Sequence, residues 1–169
     1  MSSIVKGIIP PVLTPMKSDR SIDFEALERL VEHLIAGGVD GLFALGSSGE
    51  VAFLSDEDRA TVIREIVRIA AGRVPVYAGV IDMQVNRMLG HIKAAEEAGV
   101  DAIVATAPFY AICGPAEVEA HFLYLLTMSL SATSLSLPLS CWSSGALRGF
   151  WQALRIPLAT TSPSVALSC

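Results

Sequence analysis

A junction between helix and strand occurs twice in this chain and restricts the folds that it can adopt. Ala-Gly-Gly-Val-Asp-Gly at 36–41 recurs as Glu-Ala-Gly-Val-Asp-Ala at 97–102, and Gly72 opens a related junction between them. A unit of about 30 residues that runs through a helix, a glycine and a buried strand is typical of right-handed βαβ repetition. The short connections predict a (β/α)8 barrel, with a flavodoxin-like open sheet as the alternative.

Apolar runs and helical stripes predict four such βα units. The predicted strands are 7–14, 42–45, 75–80 and 102–106, and the predicted helices begin after Asp23, after Ser55, near Val85 and at Pro115. Pro10 and Pro11 cannot donate to a strand ladder, so we expect the first strand to be irregular.

The turn after the second predicted strand is the main candidate for a ligand site. It reads Gly46-Ser-Ser-Gly-Glu50, in which Gly46 and Gly49 allow a tight turn while Ser47 and Ser48 offer hydroxyls and free amides. The carboxyl ends of parallel strands are where ligands bind in α/β folds. Without its surroundings, the same tetrapeptide is also compatible with an ordinary polar turn.

Charge and cysteine usage exclude several classes of protein. The chain has 169 residues and a formal net charge of -5, which argues against nucleic acid because no basic stripe is present to neutralise phosphates. Cys113, Cys141 and Cys169 have no Cys-x-x-Cys spacing, so neither a zinc site nor a disulfide framework is indicated. We expect a reducing cytosol as its location, since the N-terminal run is too short and irregular for a secretory signal.

Four segments, taken in order and spacing, carry a resemblance to a known family. Gly7 to Pro15, Gly46 to Glu50, Pro75 to Gly79 and Thr106 to Tyr110 resemble the N-terminal half of the dihydrodipicolinate synthase and N-acetylneuraminate lyase family. The resemblance covers residues 4–124 and implies the N-terminal half of a (β/α)8 TIM barrel, about four βα units, in a domain at 1–124. It also implies a homotetramer of tight dimers.

The resemblance also implies a reaction and its substrate. The family makes or breaks carbon–carbon bonds, or dehydrates sugar acids, through an imine between a lysine and pyruvate or another 2-keto acid. Such chemistry implies no cofactor and no metal, and the sequence leaves open whether the parent substrate is aspartate semialdehyde, sialic acid or a sugar acid.

Four residues take roles by this resemblance. Ser48 and the amide of Gly49 correspond to the substrate-binding groups that hold the keto-acid carboxylate. Ser47 corresponds to the hydroxyl of a proton relay, and Tyr110 to the tyrosine that completes the relay across the tight dimer interface. A carboxylate needs converging donors, and imine formation needs groups that both accept and donate protons.

Other residues receive plainer interpretations. Tyr110 taken alone is compatible with a packing aromatic, and Glu50 is expected to pair with a neighbour or cap an amide. Lys93 is expected on the solvated side of a helix. The histidines are expected on exposed helix faces rather than at a metal, because none has a partner at ligand spacing; they are His33, His91 and His121.

The chain lacks the group on which the family's reaction depends. By resemblance, the imine lysine follows the sixth barrel strand and a second tyrosine comes from the fifth. The chain has only Lys6, Lys17 and Lys93, and no tyrosine follows Tyr124. Because the covalent path needs that amine, we predict that the chain is inactive as written.

The composition changes abruptly after the resemblance stops. Residues 125–169 contain no Asp, Glu, Lys or Asn, and Arg148 and Arg155 are their only charges. We interpret this Ser- and Leu-rich tail as a non-family segment from a shifted reading frame, disordered or misfolded. The uncharged run at 122–147 is long enough for a membrane span, but Pro138 and the many Ser and Thr residues argue against an anchor.

Two functions of different classes follow from the sequence. The first is a truncated pyruvate-dependent class I aldolase or lyase that has lost its activity. The second is a non-catalytic interaction or regulatory subunit that pairs with a full-length relative.

Overall fold

Helices alternate with the strands of one parallel sheet. The structure, a computed structural model, describes residues 7–128 and 135–136. The strands are β1 (Leu42–Ala44), β2 (Val76–Gly79), β3 (Ala102–Val104) and β4 (Leu135–Ser136), and the helices are α1 (Phe24–Ala36), α2 (Asp56–Ala70), α3 (Val85–Ala98) and α4 (Pro115–Met128). The sheet order is β1-β2-β3-β4, and each neighbouring pair is parallel. The predicted alternation and strand direction are therefore confirmed.

The segment 7–14 lies beside β1 without forming a regular strand. The Phe43 amide donates to the Pro10 carbonyl at 3.0 Å, and the Val12 amide donates to the Phe43 carbonyl at 2.8 Å. Pro11 and Phe43 form an isolated parallel bridge. Two successive prolines lack N–H donors, which explains why the contact stays as short and irregular as the sequence predicts.

The predicted helix caps are present. The Asp23 carboxylate accepts from the Ala26 amide at 2.9 Å at the start of α1. At the start of α2, the Ser55 hydroxyl accepts from the Asp58 amide at 3.1 Å and donates to the Asp58 carboxylate at 2.6 Å. Helix α3 ends at Gly99, whose φ of 83° is the left-handed value that favours glycine.

The repeated junction has a structural role that its sequence alone does not reveal. Asp40 donates its amide to the Ile8 carbonyl at 2.8 Å, and its carboxylate accepts from the Ile8 amide at 2.7 Å. Asp101 makes the same two bonds to Val76, at 2.9 and 2.8 Å. Each aspartate thus ties the start of its own strand to the start of the preceding one.

Two apolar clusters hold the helices on the sheet. The first lies between β1, α1 and α2, and the second between β3, α3 and α4. Their largest fully buried side chains include Leu27, Leu42, Ile63 and Ile66 in the first, and Met88, Ile103 and Phe122 in the second. Burial of a side chain of this size stabilises the fold by about 1.5–3 kcal/mol. These clusters fix the strands whose carboxyl ends carry the candidate site.

The predicted tail falls mostly outside the described residues. Helix α4 continues to Met128, and β4 pairs with β3 through Ile103–Leu135 and Val104–Ser136. The boundary at 124 stays a prediction, and most of the segment at 122–147 lies outside the described residues. In the part of the chain that the structure describes, no helix has both the length and the apolar character needed to cross a bilayer.

Candidate functional site

The turn that follows β1 is flanked by two residues with a left-handed backbone. Leu45 has a φ of 54° and Glu50 a φ of 57°. A residue with a Cβ pays about 1–2 kcal/mol in this conformation, and such strain is concentrated at functional sites. The sequence did not indicate this strain because neither residue is Gly or Asn. Among the described residues, two of the four non-glycine residues with a positive φ flank this turn, and the other two are Arg20 and Ala71.

Packing leaves little room for a side chain at either end of the turn. A Cβ on Gly46 would lie 2.6 Å from the Phe43 ring, and one on Gly49 would lie 3.1 Å from the Val12 carbonyl oxygen. The Thr14 hydroxyl, which is buried, donates to the Gly49 carbonyl at 2.8 Å. Thr14 was not singled out from the sequence, although its place at the end of the first predicted strand was a usable signal.

Ser47 and Ser48 form the exposed part of the turn. Within residues 7–128, neither hydroxyl has a hydrogen-bond partner, and neither backbone amide donates to an acceptor. The amides are unpaired because they begin a short 3-10 turn, where the first N–H groups have no partner along the chain. The turn therefore presents four donor groups to solvent at the carboxyl end of β1.

Tyr110 lies on the loop that follows β3, at the same edge of the sheet, because β1 and β3 are parallel strands. Its side chain is 89% exposed, and Phe109 and Ile112 beside it are also exposed. Its backbone amide donates to the Met83 sulfur at 3.4 Å. Among the described residues the Tyr110 hydroxyl contacts neither serine, so one chain does not assemble the three predicted residues into a closed relay.

A charged cluster that the sequence did not predict lies between α2, α3 and the loop after β2. It consists of Arg59 on α2, Asp82 on the loop after β2, and Arg87 and His91 on α3; we call it the Arg59 cluster. Arg59 Nη1 donates to the Ile81 carbonyl at 3.0 Å and lies 2.9 Å from His91 Nε2 and 3.7 Å from the Asp82 carboxylate. Arg87 Nε donates to the same carboxylate at 3.0 Å.

Burial and charge together set the protonation states of this cluster. Burial lowers the pKa of Arg59, and burial followed by the neighbouring guanidinium lowers the pKa of His91. Burial raises the pKa of Asp82, but hydrogen bonds from the Gln84 amide and from Arg87 outweigh it and lower this pKa to about 2. At neutral pH the cluster therefore contains a neutral His91 between a guanidinium and a carboxylate.

The expectation of exposed histidines is wrong for two of the three. His33 is exposed, whereas His91 is 7% exposed and His121 is 9% exposed. His91 faces Arg59 from another helix, and His121 Nε2 lies 3.2 Å from the Thr106 carbonyl oxygen. These partners come from other elements, so helical spacing alone could not identify them.

The structure agrees with the expectation for Lys93 but not with that for Glu50. Lys93 is exposed and pairs with Glu97 at 3.9 Å, as expected for the solvated face of α3. The Glu50 carboxylate is exposed, and among the described residues it neither pairs with a cation nor caps an amide, contrary to expectation. Within residues 7–128, no three His, Cys, Asp or Glu side chains are grouped so that they could hold a metal ion.

Comparison with known proteins gives a consistent set of relatives. The model of the dihydrodipicolinate synthetase family matches residues 4–135. The 4-hydroxy-tetrahydrodipicolinate synthase of Shewanella sp. (strain ANA-3) is 37% identical over 119 residues, which are 70% of this chain and 40% of that protein.

Solved structures agree with the sequence relatives. YagE, a prophage protein of E. coli K12 from the dihydrodipicolinic acid synthase family, was solved in complex with pyruvate. It has a TM-score of 0.75 and 32% identity, over 80% of this chain and 45% of that one. The N-acetylneuraminate lyase of Mycoplasma synoviae has a TM-score of 0.73 and 26% identity, over 80% and 46%.

The chain spans less than half the length of each of these relatives. Its alternating parallel units are part of a (β/α)8 barrel, as predicted, rather than of a flavodoxin-like sheet. The predicted roles of Ser47, Ser48, Gly49 and Tyr110 stay predictions.

Proposed function

The chain belongs to the dihydrodipicolinate synthetase family, and we propose that its turn at 46–49 binds the carboxylate of pyruvate or another 2-keto acid. The Ser48 hydroxyl and the unpaired Ser48 amide hold the carboxylate against Gly49, whose own amide donates to the Gly46 carbonyl at 2.9 Å. The Ser47 hydroxyl lies next to it as a member of a proton relay. Tyr110 serves that relay in the site of a second subunit, which agrees with its exposed side chain.

The observation that carries this proposal is the set of unpaired donors on a strained turn. The exposed hydroxyls and amides of Ser47 and Ser48 have no competing partner among the described residues. Leu45 and Glu50 hold the turn from both sides in costly backbone conformations. Donors that are already in place and unpaired bind an anion without a further cost of ordering the loop.

We propose that this chain binds the keto acid without forming the imine itself. Lys17 and Lys93 are exposed, one in the polar turn before α1 and the other on the outer face of α3, and Lys6 lies outside the described residues. An amine that faces solvent, outside an enclosed site, is not positioned to attack the keto carbon of a bound substrate. The proposed role is therefore the carboxylate-binding and relay part of a lyase site.

The carboxylate contact is tested by pyruvate binding to the Ser48→Ala variant. A hydrogen bond to a charged group is worth about 1.5–3 kcal/mol, so we expect the dissociation constant to rise at least about tenfold. Ser18→Ala is the matched control, because Ser18 is exposed in the turn before α1 and away from β1. Titration followed by NMR measures both, and an unchanged affinity in Ser48→Ala would contradict the assignment.

A second function is supported by the exposed apolar side chains on the loop after β3. Phe109 is 63% exposed and Ile112 fully exposed, on either side of Tyr110. Apolar side chains grouped in this way are typical of a surface that binds another protein. The second candidate is thus a non-catalytic subunit that pairs with a full-length relative. Co-expression would decide: a stable hetero-oligomer in which this chain adds no turnover favours the subunit role.

A further inference from the structure

The Arg59 cluster joins the loop after β2 to two helices. Arg59 is 7% exposed, although a buried guanidinium is costly unless its donors are used. Its shortest contacts go to the Ile81 carbonyl and to His91, whereas the Asp82 carboxylate is farther away at 3.7 Å. The buried cation is therefore placed to hold the backbone of this loop more than to form a close ion pair.

The loop after β2, residues 80–84, is also held at its C-terminal end. The Asp82 carboxylate accepts from the Gln84 amide at 3.0 Å and from Arg87 at 3.0 Å. Between these points, the Met83 sulfur accepts the Tyr110 amide at 3.4 Å. A continuous set of contacts therefore connects Arg59 to the segment that carries Tyr110.

We propose that Arg59 and His91 are positioning residues that fix the loop 80–84 and, through Met83, the segment that carries Tyr110. This goes beyond the binding of a keto acid, although the value of a fixed Tyr110 for a proton relay rests on the proposed function. Arg59 acts from outside the site, because its contacts are with the loop and not with the turn at 46–49.

The protonation state of His91 controls how firmly Arg59 is held. Arg59 is donor only, so His91 Nε2 at 2.9 Å must accept, and the ring proton lies on Nδ1. A proton added to Nε2 removes this acceptor and brings two positive charges together. Nε2 then has two carboxylates as alternative partners, Asp82 at 3.4 Å and Asp56 at 3.9 Å.

All the charges that face His91 take part in this exchange. Arg59 and Asp56 come from α2 and Asp82 from the loop, while Arg87 on α3 bonds both carboxylates, at 2.7 Å to Asp56 and 3.0 Å to Asp82. Protonation of His91 therefore breaks its contact with Arg59 and favours its contacts with the two carboxylates. Arg59 then loses one of its two short contacts. We expect the loop 80–84 to loosen as the pH falls through the pKa of His91 in the folded chain, which burial and Arg59 hold below the ordinary histidine value of about 6.5.

Hydrogen exchange of the full chain, read by mass spectrometry of its peptides, tests this proposal. Exchange is measured at about pH 7.5 and pH 5.5, each rate divided by its intrinsic rate. For Arg59→Gln we expect peptides covering 80–84 and 107–112 to exchange about tenfold faster, with α1 unchanged. Arg64→Gln is the matched control, since Arg64 is exposed on α2 and donates to the Thr61 hydroxyl.

A milder variant separates positioning from folding. In His91→Gln the amide oxygen still accepts from Arg59 but does not titrate, so protection at neutral pH is kept and the acid-induced loosening is lost. The proposal is overturned if Arg59→Gln leaves 80–84 unchanged, if it speeds exchange equally in α1, or if His91→Gln still loosens in acid. None of these readouts uses pyruvate, so failure of the proposed function would leave them unaffected.

Discussion

At the scale of single residues, partners from distant elements decide what a side chain does. Ser47 and Ser48 could be singled out because they follow a buried strand, and that information is local in the sequence. His91 and His121 could not, because Arg59 and the Thr106 carbonyl reach them from other elements. The positive φ of Leu45 could not be predicted either, because Leu45 is neither Gly nor Asn.

Buried histidines make the stability of the chain depend on pH. Burial lowers the pKa of His121, and burial together with Arg59 lowers the pKa of His91. Below about pH 6.5 these two histidines are protonated in the unfolded chain but still neutral in the folded chain. Their contribution to the free energy of unfolding is therefore complete above this pH and is lost as the pH falls towards their folded-state pKa values. Urea unfolding at about pH 7.5 and pH 5.5 measures the difference.

His121→Gln should make that difference smaller, because one of the two buried histidines is removed. His33→Gln is the control, since His33 is exposed, and it should leave the difference between the two pH values unchanged. A larger difference in the His121 variant than in the unmodified chain would show that this assignment of sign is wrong.

At the scale of secondary-structure elements, local signals were sufficient for helices and less so for strands. Asp23 and Ser55 cap helices as predicted because capping bonds span only three residues. Three of the four predicted strands were located correctly, although β1 and β3 are shorter than their apolar runs, and the segment 7–14 forms only an isolated bridge to β1. A strand ends where its neighbour's pairing ends, which is information that the run itself does not contain.

Close contact between successive strands predicts a strong effect of a small substitution in β2. A Cβ on Gly79 would lie 2.1 Å from the Leu45 carbonyl oxygen, a backbone atom that cannot move aside without shifting the turn after β1. We expect Gly79→Ala to lower the free energy of unfolding by about 1–3 kcal/mol. Urea unfolding measures this loss.

The control is Gly90→Ala, in the middle of α3. Nothing lies within 4 Å of a Cβ placed there, and alanine favours a helix over glycine, so this variant should gain about 0.5–1 kcal/mol. Equal effects of the two variants would mean that the contact between β1 and β2 does not constrain the turn.

At the scale of the whole molecule, the segment 7–14 forms one edge of the sheet that the structure describes. In the described residues this segment pairs with β1 alone, and Ile8 and Leu13 on it are 69% and 52% exposed. The chain spans 40–46% of the length of the relatives compared above. An uncovered edge with apolar neighbours favours pairing with another chain.

We therefore predict that the chain associates with itself in solution. Sedimentation velocity at several concentrations should give species larger than a monomer, with a fraction that rises with concentration. A monomer throughout, together with a sharp and cooperative thermal transition, would contradict this prediction.

We propose that the chain binds a 2-keto acid and does not form the imine that the resemblance implies for the family's reaction. The direct test is to incubate the purified chain with pyruvate and borohydride and to measure its intact mass, with a full-length family member and a sample lacking pyruvate treated in parallel. We predict that the full-length member gains the mass of a reduced pyruvate adduct and that this chain does not. A stoichiometric adduct on a single lysine of this chain would contradict the account.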